Sequence, residues 1–206
     1  MPTEQFQHFR IESKLGSGGM GEVYLALDQK LDRLVALKIL PKQLGADPVR
    51  RARFLQEAKT ASSLTHPNVC VIYEIGESSD HQPYIAMELV EGEPLDRIIA
   101  GRALPMGTVI DFALQVSDAL SAASEVEIVH RDIKPSNILV TRAGEVKLVD
   151  FGIVKELLPG GQGQSLSQVF GTSTYFSPEQ SLGSHVTSAT DVYAAGVVLY
   201  ELLGGT

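Results

Sequence analysis

The chain is poor in several things, and each shortage closes a class of function. Cysteine occurs once, at Cys70 in the apolar run Val69-Cys70-Val71-Ile72. No disulfide framework can staple the chain, which suits a reducing, cytoplasmic setting, and Cys70 reads as a buried strand residue. A basic excess is missing: 17 Lys and Arg stand against 25 Asp and Glu, for a formal net charge of -8. Nucleic acid and anionic membranes need a cationic footprint, so neither is expected as the main partner. The start, Met1-Pro2-Thr3-Glu4-Gln5, lacks the basic-then-apolar order of a signal peptide. The most apolar stretch, residues 192–203, is broken by Glu201 and is shorter than the roughly 20 residues a bilayer-spanning helix needs. No span is expected within the chain, although a parent chain could be anchored beyond residue 206. Internal repeats are absent. His8, His66, His81 and His185 show no ligand-type spacing, so no metal is assigned to them.

What is present is ordinary globular material: 206 residues, 44% hydrophobic and 20% charged, enough for one large domain or two small lobes. Residues 1–8 read as an N-terminal extension. The first ninety residues are strand-rich, with β-type runs at 21–27, 34–40, 69–74 and 84–89. One helix interrupts them over about residues 48–64, with Phe54, Leu55, Ala58, Ala61 and Leu64 at helical spacing. His66-Pro67-Asn68 ends it, because a residue before proline resists the helical region. After Gly92 the pattern turns helical. Residues 108–123 predict a helix, 138–140 and 146–149 two short strands around Arg142-Ala143-Gly144, and 188–203 a final apolar helix. Residues 155–170, rich in Gly, Gln and Ser, predict a mobile loop.

Five segments carry chemistry. Gly16-Ser17-Gly18-Gly19-Met20-Gly21 fits G-x-G-x-x-G. Standing alone it would equally be a glycine hairpin or the turn of a dinucleotide fold. A dinucleotide turn opens a helix, whereas Glu22-Val23-Tyr24-Leu25-Ala26-Leu27 is a strand pattern, so these glycines sit in a hairpin where backbone N–H groups can approach phosphates. Lys38 ends Val35-Ala36-Leu37-Lys38, and a lysine in an apolar strand is costly unless paired. Phe54-Leu55-Gln56-Glu57-Ala58 sets a glutamate beside the apolar face of the 48–64 helix. His130-Arg131-Asp132-Ile133-Lys134-Pro135-Ser136-Asn137 is far more specific, and Asp150-Phe151-Gly152 follows it. Any one tripeptide is weak; all five in order are not.

On these residues the chain resembles the eukaryotic-like serine/threonine protein kinases, in a form more similar to bacterial members, from about Phe9 onward. The resemblance implies an α+β, two-lobed fold: an antiparallel sheet with one helix over 9–89, and a mainly helical, incomplete lobe over 90–206. It implies ATP with Mg²⁺ or Mn²⁺ as cofactors, and Ser/Thr-bearing proteins as substrates. Asp132 would orient or accept the hydroxyl proton, Lys134 would neutralise the γ-phosphate, and Lys38, paired with Glu57, would hold the α- and β-phosphates. Asn137 and Asp150 would bind metal. Leu15, Gly16, Gly18, Gly21, Val23, Ala36, Met87, Glu88, Val90 and Leu139 would enclose the nucleotide, with Met87 as gatekeeper. His130 would be structural, and Asp191 would anchor the catalytic-loop backbone.

Lys134, two residues after Asp132, is the Ser/Thr pattern, and Gly171-Thr172 agrees. Arg131 before the aspartate implies control by phosphorylation of the activation loop, with Ser165, Ser167, Ser173 and Thr174 as candidates. Ser177-Pro178-Glu179 departs from the family's Ala-Pro-Glu. The family continues for several helices beyond residue 206. On that basis Glu179 is expected to lack its usual arginine, the 192–203 helix to expose apolar surface, and the isolated chain to be of reduced stability and prone to self-association. An ATP-binding or scaffold module, inactive because of that shortening, is the alternative reading.

Overall fold

The computed structural model describes residues 5–18, 21–42, 48–151 and 173–205. It divides into two compact units, Met1–Ser63 with Val71–Leu89, and Leu64–Cys70 with Val90–Thr206.

The first unit is one antiparallel sheet and one helix. Its strands are β1 (Gln5–Phe6), β2 (Phe9–Gly18), β3 (Gly21–Asp28), β4 (Arg33–Ile39), β5 (Ile72–Glu77) and β6 (Pro83–Glu88), in the order β1-β2-β3-β4-β6-β5. Strand side chains alternate between faces. One face puts Ala26, Val35, Leu37, Tyr84 and Ala86 into a core closed by Phe9, all 5% exposed or less. The other face carries the residues that matter chemically. The register sets Val23 opposite Lys38, Ala36 opposite Met87 and Lys38 opposite Ile85. Helix α1 (Pro48–Ser62) buries Phe54, Ala58 and Ala61. It stops at Ser62, two residues short of the Leu64 expected from spacing. The hydroxyls of Ser62 and Ser63 bond back to the carbonyls of Lys59 and Thr60, which competes with continuing the helix.

The second unit holds a three-stranded sheet of β7 (Gly92–Pro94), β8 (Ile138–Thr141) and β9 (Val146–Leu148). Around it lie α2 (Leu95–Ile99), α3 (Met106–Glu125), α4 (Pro178–Ser181) and α5 (Ser188–Gly204). Helix α3 presents Val109, Phe112, Val116, Ala119 and Ala123 at helical spacing, and α5 presents Ala194, Val198 and Leu202 to the same core. On the other side of α5, Val192, Tyr193, Tyr200 and Leu203 are exposed.

Segment 64–70 is the departure from a single boundary near residue 89. Val69 bridges Leu148 in parallel, and Cys70 N–H donates to the Leu148 carbonyl at 2.9 Å. Asn68 donates its amide to Gln115 Oε1 and to the Val146 carbonyl. The apolar run at 69–72 therefore belongs to both units, and β5 begins only at Ile72. Cys70 is buried, but as an edge partner of β9 rather than inside β5. Among the described residues no helix is long and apolar enough to cross a membrane.

Candidate active site

In the first unit the glycine segment closes the β2–β3 hairpin, with Gly16 opposite Val23 and Gly18 opposite Gly21. Gly21 has φ 121°, and a Cβ there would lie 2.3 Å from the Ile39 carbonyl oxygen, so only glycine fits. Leu15 is the extra residue where the β2–β3 register shifts between Lys14 and Gly16, and it is half exposed. Val23, Ala36, Lys38 and Met87 share one face of the sheet through the register above. Lys38 is only 4% exposed. Glu57 lies half-buried on α1 beside the fully buried Ala58. The Glu88 backbone N–H donates to the Val71 carbonyl at 2.8 Å, so it is not the hinge group offered to a ligand.

In the second unit the loop from His130 to Asn137 is held by buried side chains. Asp191, on the first turn of α5, accepts the backbone N–H of His130 on Oδ2 at 2.6 Å and that of Arg131 on Oδ1 at 2.8 Å. Burial pushes the Asp191 carboxyl up from its ordinary value, while His130 and these N–H groups pull it back. Arg131 has φ 64°, a left-handed conformation that a non-glycine residue holds only under constraint. Asp132 follows it, 8% exposed. Asp132 Oδ2 receives Asn137 Nδ2 at 2.9 Å and lies 3.1 Å from Lys134 Nζ. The same Asn137 nitrogen also donates to the Asp132 backbone carbonyl. Leu139 and Asp150 are half-buried, and Asp150 too has φ 64°.

His130 is fully buried. Its Nδ1 accepts the Asp132 N–H at 3.3 Å, which makes Nε2 the protonated nitrogen, donating to the Val149 carbonyl at 3.1 Å. Its ring packs on Phe151 with centroids 4.4 Å apart. Burial pushes its pKa down from 6.5, against the pull of Asp191, Asp132 and Asp150. The folded chain thus refuses a proton that the unfolded chain accepts, so unfolding free energy should fall as pH drops below about 6.5. The His130 ring ¹³C shifts are expected to stay those of the neutral ring from about pH 8 to about pH 6.5. A half-titrated ring at the lower limit would refute this.

Sequence reasoning missed the C-terminal anchor of the loop region. Ser177, fully buried, caps α4: its Oγ accepts the Gln180 N–H at 3.3 Å, and Gln180 Oε1 accepts the Ser177 N–H at 3.1 Å. Ser-x-x-Gln is a capping-box pattern, so the signal was present. Glu179, expected to want an arginine, accepts the Thr190 hydroxyl at 2.6 Å, which lowers its pKa. The Tyr175 hydroxyl donates to Glu201 at 2.6 Å. Gly152, Ser165, Ser167, Gly171 and Thr172 lie outside the described residues; Thr174 is exposed.

The family model described as "Protein kinase domain" matches residues 9–206. The chain belongs to the protein kinase family. A probable serine/threonine-protein kinase of Streptomyces coelicolor is 43% identical over 202 residues, covering 95% of this kinase chain and 30% of that protein. The serine/threonine-protein kinase Pkn3 of Myxococcus xanthus is 42% identical, covering 96% and 38%. PknA of Mycobacterium tuberculosis is 40% identical over 203 residues, covering 96% and 47%. The chain thus spans less than half the length of these bacterial relatives. The crystal structure of the M. tuberculosis PknI kinase domain has a TM-score of 0.80 at 30% identity, covering 100% of this kinase chain and 76% of that one. The two-lobed α+β kinase fold expected from the sequence is the fold of these relatives.

Proposed function

We propose that the chain transfers the γ-phosphoryl group of ATP to serine and threonine hydroxyls of proteins. The observation that carries this reading is the Asp132 carboxylate, held by Asn137 and Lys134 on a loop that Asp191 clamps from α5. In the transfer, the substrate oxygen bonds to the γ-phosphorus as the bond to the β-bridging oxygen breaks. ADP leaves, and the hydroxyl proton passes to Asp132 or to water. Asp132 orients the hydroxyl and Lys134 offsets charge on the transferring group. In the first unit, the backbone of Gly16, Gly18 and Gly21 covers the phosphates, Lys38 with Glu57 holds them, and Leu15, Val23, Ala36 and Met87 offer the apolar face for the base. The backbone carbonyl of Glu88, and in the second unit Leu139 and the Val90 backbone, are assigned to the nucleotide by the family resemblance.

A divalent ion, Mg²⁺ or Mn²⁺, supplies charge neutralisation for the phosphates. The donor set suits it. Both Asn137 bonds to Asp132 use Nδ2, which leaves Oδ1 as the amide's ligand atom, and Asp150 adds a carboxylate. Among the described residues no cluster of three or more His, Cys, Asp or Glu could hold an ion. Two oxygen donors plus phosphates is the usual arrangement for Mg²⁺.

The choice of Ser/Thr over Tyr rests on Lys134 and on the relatives, which are serine/threonine-protein kinases. Control by phosphorylation belongs to the same reading, with Ser165, Ser167, Ser173 and Thr174 as acceptors. Incubation with γ-labelled ATP, Mg²⁺ and a basic test protein, followed by phosphoamino-acid analysis, should yield phosphoserine or phosphothreonine. Phosphotyrosine, or no transfer, would overturn the proposal.

A further inference from the structure

Gln180 makes one contact that its place in α4 does not require. Its amide is 3% exposed, and a buried amide is costly unless both ends are bonded. The Oε1 end completes the capping box by accepting from Ser177 N–H. Glutamate would serve there equally well, since a capping box asks only for an acceptor. The Nε2 end donates to the backbone carbonyl of Arg131 at 2.9 Å, and only an amide can do both.

That carbonyl belongs to the peptide unit joining Arg131 to Asp132. The N–H of the same unit donates to His130 Nδ1. Gln180 and His130 therefore hold the plane directly preceding the Asp132 Cα at its two ends. The preceding plane is held by Asp191, through the Arg131 N–H. Between them sits Arg131 at φ 64°, a backbone that relaxes elsewhere when a tether is cut.

We infer that Gln180 is a positioning residue for phosphoryl transfer: through the Arg131 carbonyl it fixes the direction of Asp132, and it ties that direction to the folded state of the Ser177–Gln180 cap. The inference rests on the kinase reading above. It places a link between the segment that ends at α4 and the aspartate that receives the substrate hydroxyl.

The test compares the full chain with Gln180→Glu and Gln180→Met. Gln180→Glu keeps the capping acceptor but sets a carboxylate against the Arg131 carbonyl. Its kcat is expected to fall about 10- to 100-fold at about pH 8, with KM for ATP changed less than about twofold, because misdirection of a reacting group is a kcat effect. As pH is lowered towards about 5.5 the introduced carboxyl takes up a proton, regains a donor, and the deficit relative to the unmodified chain should shrink. The other titratable groups around it, Arg131, Asp132, Lys134, Tyr175 and Asp191 in the same cavity, with His130 and Glu179 beside it, are common to both chains and cancel in the ratio. Gln180→Met should lose a similar factor with no pH response.

A Gln180→Glu deficit that is constant with pH, or one that lies wholly in KM for ATP, would overturn the positioning role. So would a Gln180→Met chain as active as the original. Should Gln180→Met fail to fold, the pH response of Gln180→Glu decides alone, since it is read within one folded chain. An unmodified chain without transferase activity would remove the functional reading and this role with it. An active chain indifferent to Gln180 removes this role only.

Discussion

Asp132→Asn is expected to lower kcat by about 10²–10⁴-fold while the chain remains folded. The range is that of a positioned acid–base group. The amide is isosteric, so the loop geometry set by Asp191 and Gln180 should survive. It brings two N–H donors to a site where Asn137 Nδ2 and Lys134 Nζ already point donors at Oδ2. The substituted side chain can offer its single oxygen to these partners or to the substrate hydroxyl, but it cannot take a proton. Steady-state kinetics should place the loss in kcat, with KM for ATP little changed, since Asp132 is assigned to the hydroxyl rather than to the nucleotide. Circular dichroism melting within a few degrees of the original would show that chemistry, not folding, was lost. A variant retaining more than about a tenth of the activity would remove Asp132 from its assigned role.

Asp191→Ala should cost about 3–5 kcal/mol of stability together with nearly all activity. Two charge-assisted hydrogen bonds, to the N–H groups of His130 and Arg131, are lost at about 1.5–3 kcal/mol each. Of the two donors left behind, the His130 N–H is buried and the Arg131 N–H part-buried. Removing a carboxylate that burial already penalises returns part of this, which keeps the figure near the lower end of the simple sum. Arg131 would lose the tether on one side of its left-handed backbone, and Asp132 would be released with it. Urea unfolding should show a lower midpoint at unchanged slope. A loss below about 1 kcal/mol would mean that Gln180 and the His130 ring hold the loop by themselves.

Much of this was legible in the sequence, for reasons that differ by residue. The His130–Asn137 octapeptide, Lys38 in its apolar strand and the glycine hairpin are local patterns whose chemistry constrains both residue type and spacing. Helix α3 was legible because seven apolar residues repeat at one period, and α5 because its run is apolar almost throughout. Strand β2 was not, since Ser13 breaks the alternation that Phe9 and Ile11 begin, and the register shifts twice along it. Strand β7 has three residues and no pattern to read. At 69–72 four consecutive apolar residues name no partner and no face, so periodicity could not show that Val69 and Cys70 pair with β9 while Ile72 starts β5. The Ser177–Gln180 capping box could have been read from its spacing. The bond from Gln180 to Arg131 could not, because it joins residues 49 positions apart.

The loan of residues 64–70 to the second unit bears on how the protein can be cut. The chain passes from one unit to the other after Ser63, after Cys70 and after Leu89. A gene fragment starting at Val90 would look like a tidy lobe on paper, yet it would omit Leu64 and Val69 from the core that α3 and α5 share. It would also strip the outer side of β9, where Leu148 now exchanges hydrogen bonds with Asn68 and Cys70. A bare strand edge recruits other strands. Such a fragment is a poor choice for crystallisation or binding assays. A fusion that supplies residues 64–70 ahead of Val90 through a flexible linker would restore the missing edge.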